Sequence, residues 1–202
     1  MLSNRTYAVR LLWLALAVQA GWVLLNRLVL HQSPGLDVIG VVVWVCFAAL
    51  AALSDRWPAS TVVARIVMGI EFLLAVADRF GVLGGPGTSG VSWGDFPHFV
   101  RYTAEVAGFA PAGIAPALAV LATIAETVLG VALLVGAFLP LTALATAGLL
   151  AVYGICMAVS LPAAQQFHYD VFVLCTGMLT LATARRRPLS LDLRRTKVAL
   201  DS

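Results

Sequence analysis

The chain reads as long apolar runs separated by short polar breaks. The runs are about Leu11–Leu30, Val38–Leu53, Thr61–Phe80, Ile114–Phe138, Leu141–Leu161 and Phe167–Ala184. Most approach the roughly 20 residues that an α-helix needs to cross a bilayer. Val38–Leu53 is rich in β-branched residues, which favour strand, but a lone strand leaves its backbone unpaired in lipid, so helix is expected there as well. Ser33-Pro34-Gly35, Asp55-Arg56-Trp57-Pro58 and Ala164-Gln165-Gln166 mark turns. From Thr127 to Tyr169 no Asp, Glu, Lys or Arg occurs, and Pro140 and Pro162 divide that stretch.

The longest polar segment is Gly81–Gly94, with six glycines and one proline. It leads into Asp95-Phe96-Pro97, where a capping aspartate and an early proline start a helix. Residues Pro97–Ala107 then place His98, Arg101 and Glu105 along one face, with Phe96, Phe99, Thr103 and Val106 on much of the other. That is the pattern of a helix lying in the membrane interface, with Trp93 and Tyr102 suited to headgroup level. Gly108 and Pro111 end it. The expected fold is all-α: a polytopic membrane bundle of six transmembrane helices and one short interfacial helix, 95–108. A basic tail (185–202) follows the last span. No internal repeat is visible.

Composition agrees. Hydrophobic residues make up 61% of the chain, charged residues 11%, and the mean hydropathy is +0.95. Disorder is excluded, because it needs low hydrophobicity and high charge. A soluble globule would have too few polar side chains to cover its surface. The net charge is +3, and six of the basic residues crowd the end of the chain: Arg185, Arg186, Arg187, Arg194, Arg195 and Lys197. A basic cluster just after an apolar helix is a cytoplasmic anchor rather than a nucleic-acid surface. With six spans, both termini lie on one side, and ten of the thirteen basic residues fall there. This predicts the inner (plasma) membrane with both termini cytoplasmic and the glycine-rich loop outside. Arg5 and Arg10 precede an apolar run that Val18-Gln19-Ala20 could end as a signal-peptidase site, but the segment is read as a first helix. Cys46, Cys156 and Cys175 form no C-x-x-C pair and sit in apolar runs.

An ionisable group deep in a bilayer costs about 2.5–3.5 kcal/mol and calls for a reason. Glu71 and Glu126 fall near mid-depth. Asp78 lies two helical turns beyond Glu71 on the same face, and Asp170 enters the last span beside His168 and Tyr169. Arg65 sits near the inner end of its span, with Arg79 in register above it. The expectation is that Asp78, His168, Tyr169 and Asp170 gather in the outer third with Glu71 and Glu126 beneath them, around a polar cavity open outward. Such a cavity suits proton relay or a quinone or other polar-headed ligand. The structural alternatives are a neutral glutamate bonded to a neighbouring helix, an interfacial Asp78–Arg79 pair, a surface His168, and a solvated His98–Arg101–Glu105 face. No Walker loop, dinucleotide fingerprint or H-E-x-x-H motif occurs, and His31, His98 and His168 lack ligand spacing, so no metal site is expected.

Ala64–Gly69 opens a helix that ends Asp78-Arg79-Phe80-Gly81. Phe99–Thr103, Thr123–Gly130, Leu133–Gly136, Tyr169–Phe172 and Ser190-Leu191-Asp192 follow. In that order and spacing the chain resembles the DoxX-like family of small integral membrane proteins. The resemblance implies a four-helix core made of spans three to six (59–184), with the first two spans added to it as an N-terminal two-helix hairpin (1–58). It carries over Arg65, Glu126 and Asp170 as polar positions. Relatives of that family are linked to quinone-coupled thiosulfate oxidation and to membrane oxidoreductase complexes that handle thiol or oxidative stress. The implied role is the membrane subunit of a quinone- or thiol-linked redox system, with quinone as its cofactor and the bilayer and an oxidoreductase-complex protein as partners. Two other classes remain open on the residues: a small-solute transporter or permease, and a non-catalytic membrane anchor or assembly factor.

Overall fold

The computed structural model describes residues 2–31, 38–111 and 113–191. The Ser33-Pro34-Gly35 turn and the tail residues Arg194, Arg195 and Lys197 lie outside the described residues. The elements are α1 (Leu2–Leu28), α2 (Val38–Leu53), α3 (Ala59–Arg79), α4 (Phe96–Val106), α5 (Ala115–Val135), α6 (Leu139–Ser160), α7 (Ala163–His168) and α8 (Val171–Ala182), and no strand occurs among the described residues. The all-α reading holds. Of these helices, α1, α3, α5 and α6 are long and apolar enough to cross a membrane, whereas α2 and α8 are shorter apolar helices.

Two boundaries differ from the sequence reading. α1 begins well before its apolar run, because Arg5 is held there. Its Nη2 donates to Ser54 Oγ at 2.9 Å and pairs with Asp55 Oδ1 at 2.8 Å, which joins the start of α1 to the end of α2. The last apolar run is not one helix. It breaks at Asp170, whose φ of 50° is left-handed, so that Ala164–Gln166 lies in α7 instead of a turn and α8 spans only about 18 Å.

Prolines set several helix starts. Pro97, Pro116 and Pro140 occupy the first turns of α4, α5 and α6, where a missing N–H costs nothing. α5 closes on Gly136, whose φ of 72° is the left-handed cap that glycine favours, and only residues 136–138 separate it from α6.

α8 sits inside the bundle, packed by α1, α2, α3 and α6. At Gly177 a Cβ would run into the ring of Phe47, so glycine there lets the fully buried Phe47 of α2 reach α8. α3 and α5 cross at another pair of glycines. A Cβ on Gly69 would meet Gly130 O at 2.9 Å, and one on Gly130 would meet Gly69 O at 3.2 Å. Without a hydrophobic drive between helices in lipid, close backbone approach of this kind supplies the packing. α4 lies across α5, α6 and the end of α3.

Candidate functional site

The glycine crossing fixes how α3 meets α5. Outward from it, Glu126 stands four residues along α5, about 6 Å, and Arg79 ten residues along α3, about 15 Å. Side chains on a helix lean toward its N-terminus, so Arg79 runs back down α3 toward the crossing. Its Nη2 reaches Glu126 Oε2 at 2.6 Å, and its Nη1 donates to Thr123 Oγ1 at 3.0 Å. Both side chains of the pair are 3% exposed. The hydroxyl of Tyr153, on α6, donates to the other carboxylate oxygen at 2.7 Å. The guanidinium lies 3.7 Å over the ring of Phe99 and 5.3 Å over that of Trp93. A buried charge pair repays its desolvation only when its remaining atoms are also satisfied, and here hydroxyls and aromatic faces do most of that. Arg79 Nε has no hydrogen-bond partner among the described residues.

Asp78, its chain neighbour, turns the other way. It accepts from the backbone N–H groups of Ser92 at 2.9 Å, Trp93 at 3.2 Å and Gly94 at 3.0 Å. The carboxylate thus closes the glycine-rich loop onto the end of α3 and sets Trp93 against Arg79. Gly94, with φ of 72°, packs so closely on Gly85 and Pro86 that a Cβ would overlap their backbone. Asp78 and Arg79 are therefore not the interfacial ion pair weighed in the sequence reading. Asp95 caps α4 by accepting from His98 N at 2.8 Å, and that bond holds its carboxyl below the usual carboxylate range.

These elements enclose a cleft of about 560 Å³ between α3, α4, α5, α6 and the start of α8. That is the size of a small-molecule site, and most of its lining is apolar. Its polar edge is made by Glu71, Arg79, Glu126 and the tyrosines 102, 153 and 169. Burial pushes the phenols of Tyr102 and Tyr169 up from their usual range, so both stay protonated through neutral pH.

The six residues expected to gather in one cavity, and Arg65 below them, divide. Glu71, Glu126 and Tyr169 line the cleft. Asp78 serves the loop. Asp170 faces the N-terminal hairpin instead, accepting from Gln19 Nε2 at 2.7 Å and Trp44 Nε1 at 2.8 Å. His168 is exposed and edges onto the ring of Tyr169. Arg65 is buried at the far end of α3, where it donates to Leu133 O at 3.3 Å and Leu189 O at 2.8 Å. It joins the end of α5 to the chain after α8. The cysteines are free thiols, and among the described residues no cluster of metal-binding side chains occurs.

Arg79, Tyr153, Trp93 and Phe99 did not stand out as site residues in the sequence. One signal was present: a carboxylate at Glu126's depth needs a counter-charge, and Arg79 is the cation at the outer end of the neighbouring span. Tyr153 gives no such signal, because an isolated tyrosine in an apolar run reads as core.

Fold and cleft together define a multi-pass helical membrane protein with a ligand-sized site between its helices. Residues 60–158, from α3 to the last turn of α6, match the model of the DoxX family, so this stretch of the chain is DoxX-like. The matched stretch supplies Glu71, Arg79, Glu126, Tyr153 and all of α4, while α7 and α8 follow it. No curated protein and no solved structure matches the chain.

Proposed function

We propose that this protein is the membrane subunit of a redox system and that its cleft holds a quinone. The observation that carries the reading is the Arg79–Glu126–Tyr153 cluster set at the edge of an otherwise apolar cleft. Arg79 and Glu126 cancel each other's charge, and Glu71 is the one further acid on a mostly apolar lining, so the cleft suits an uncharged head with an apolar body over an anion. A quinone has that chemistry: a flat ring, carbonyl acceptors and an apolar body. Arg79 Nε is a buried donor in want of an acceptor, which a quinone carbonyl supplies. Phe99 and Trp93 offer ring faces beside it. The Tyr153–Glu126 hydrogen bond gives a proton on the ligand a route to a carboxylate. Arg5, Arg10 and the basic residues after α8 support a reading with cytoplasmic termini, in which the loop and α4 face a partner oxidoreductase outside. The apolar lining disfavours a carrier for polar solutes.

The test is titration of the protein in nanodiscs with a short-chain ubiquinone analogue. Saturable binding is expected, weakened in Glu126→Gln and in Tyr153→Phe. An absence of saturable binding by the wild-type protein would remove the reading.

A further inference from the structure

The cleft is mostly apolar, with its charged pair buried and an apolar rim on the side of α5 and α6. Inside stand the buried Arg79 and Glu126, with Tyr153 beside them. At the rim stand Leu121 of α5 and Val152 of α6, which line the cleft while remaining 62% and 55% exposed. Neither rim residue is near a helix end. Leu121 lies about 9 Å along α5 and Val152 about 12 Å before the end of α6, at the depth of hydrocarbon rather than water. Residues 136–138 join these helices at their other ends, yet the two pack on each other less closely than α3 on α5 or α6 on α8. Away from that turn the cleft lies between them, lined from Leu118 to Glu126 on α5 and from Leu149 to Met157 on α6, and α4 packs on both. Beside Leu121 the wall of α5 is built of Ala122 and Ala125, which leave room.

A ligand entering past Leu121 and Val152 from water would meet apolar side chains first and the charged pair last. A molecule dissolved in the bilayer meets no such barrier. We infer that the cleft is loaded sideways from the membrane, through the gap between α5 and α6, by an uncharged amphiphile bearing a single hydrocarbon chain. Its head reaches Arg79, Glu126 and Tyr153, and its chain passes between Leu121 and Val152 into the lipid. A volume of about 560 Å³ holds a head and part of one chain but not a whole two-chain phospholipid. The inference rests on the proposed reading only in taking the cleft as a binding site; the route and the chain follow from its shape.

The experiment places the full chain in nanodiscs that contain a long-chain fatty alcohol with a diazirine in mid-chain, irradiates them, and maps the adducts by mass spectrometry. Adducts are expected on Ala122, Ala125 and Cys156 inside the cleft as well as on Leu144 and Ile155, which face outward. The double substitution Leu121→Trp/Val152→Trp, at lipid-exposed positions, should lower the cleft adducts roughly tenfold by overfilling the passage. The outward adducts should stay constant, which also reports that the variant is folded. Adducts confined to outward residues in the wild type, or cleft adducts indifferent to the double substitution, would overturn lateral loading. Quinone titration run in parallel separates the two ideas. Quinone binding without cleft adducts leaves the quinone reading and removes the route, and the reverse pattern does the opposite.

Discussion

Arg79 of α3 and Glu126 of α5 meet at 2.6 Å with each side chain 3% exposed, and Tyr153 of α6 completes the carboxylate's bonding from a third helix. Removing one member leaves the other charged, buried and unpaired, which costs about 3–5 kcal/mol. Arg79→Met and Glu126→Gln should each lower the melting temperature in detergent. Replacing both should recover part of the loss, because no lone charge is then left. A double-mutant cycle read from the melts checks this, and purely additive losses would show that the two side chains do not interact.

Asp78 accepts three successive loop N–H groups, and hydrogen bonds to a charged acceptor contribute about 1.5–3 kcal/mol each. Asp78→Asn keeps the shape and removes the charge. Amide exchange at Ser92–Gly94 should quicken by roughly tenfold or more, each 1.4 kcal/mol being a factor of ten. α5 and α6 should keep their protection, which localises the effect to the loop.

Much of the fold was legible in the sequence, because apolar runs, first-turn prolines and the Asp95 cap are local signals. What escaped it is tertiary. The break at Asp170 follows a mixed stretch (Gln165, Gln166, His168) that reads equally as the lead-in to one span, and its acceptor role is filled by Gln19 and Trp44 from the other end of the protein. The early start of α1 depends on Ser54 and Asp55, just after α2. The site was half legible for the same reason. Depth along a helix marked Glu71 and Glu126, but the crossing at Gly69 and Gly130 decides which residues of two helices meet, and nothing in either helix alone states it. Asp78 and Asp170 were equally conspicuous in the sequence and turned out to hold the scaffold on either side of the cleft.

The Asp95 cap carries a pH dependence whose sign follows from its depressed pKa. A carboxyl whose folded pKa lies below the unfolded one stabilises above the unfolded value, and that contribution is lost as pH falls through the folded one. The His98 amide should therefore lose exchange protection on acidification below the ordinary carboxylate range, after correction for intrinsic rates. Asp95→Asn keeps a capping oxygen but has no proton to gain, so the corrected protection should be flat across that window.

The α3–α5 crossing tolerates no added atom at Gly69, where a Cβ would lie 2.9 Å from both Gly130 O and Leu134 Cγ. Gly69→Ala should destabilise by about 1–3 kcal/mol through overpacking. It should also weaken the Arg79–Glu126 pair, whose register depends on that crossing. Gly148→Ala on α6 is the control, since nothing lies within 4 Å of its Cβ position. Equal melting temperatures for the two variants would mean that the helices are not held at this point.

Asp170 and Tyr153 separate scaffold from site. Asp170 binds the buried Gln19 and the indole of Trp44, and both belong to the N-terminal hairpin. Asp170→Ala leaves those donors without this acceptor, at about 1–3 kcal/mol for a buried group, so the melting temperature should fall. Quinone affinity should hold, because the cleft lies on the other side of α8's first turn and Asp170 does not line it. Tyr153→Phe removes one hydroxyl from the cleft and one bond to Glu126, and should weaken quinone binding by roughly tenfold or more, the scale of a lost hydrogen bond to a charged group. Paired melting curves and titrations on the two variants decide the matter. A folded Asp170→Ala protein that has lost quinone affinity would return Asp170 to the binding site and undo the division drawn between the two carboxylates.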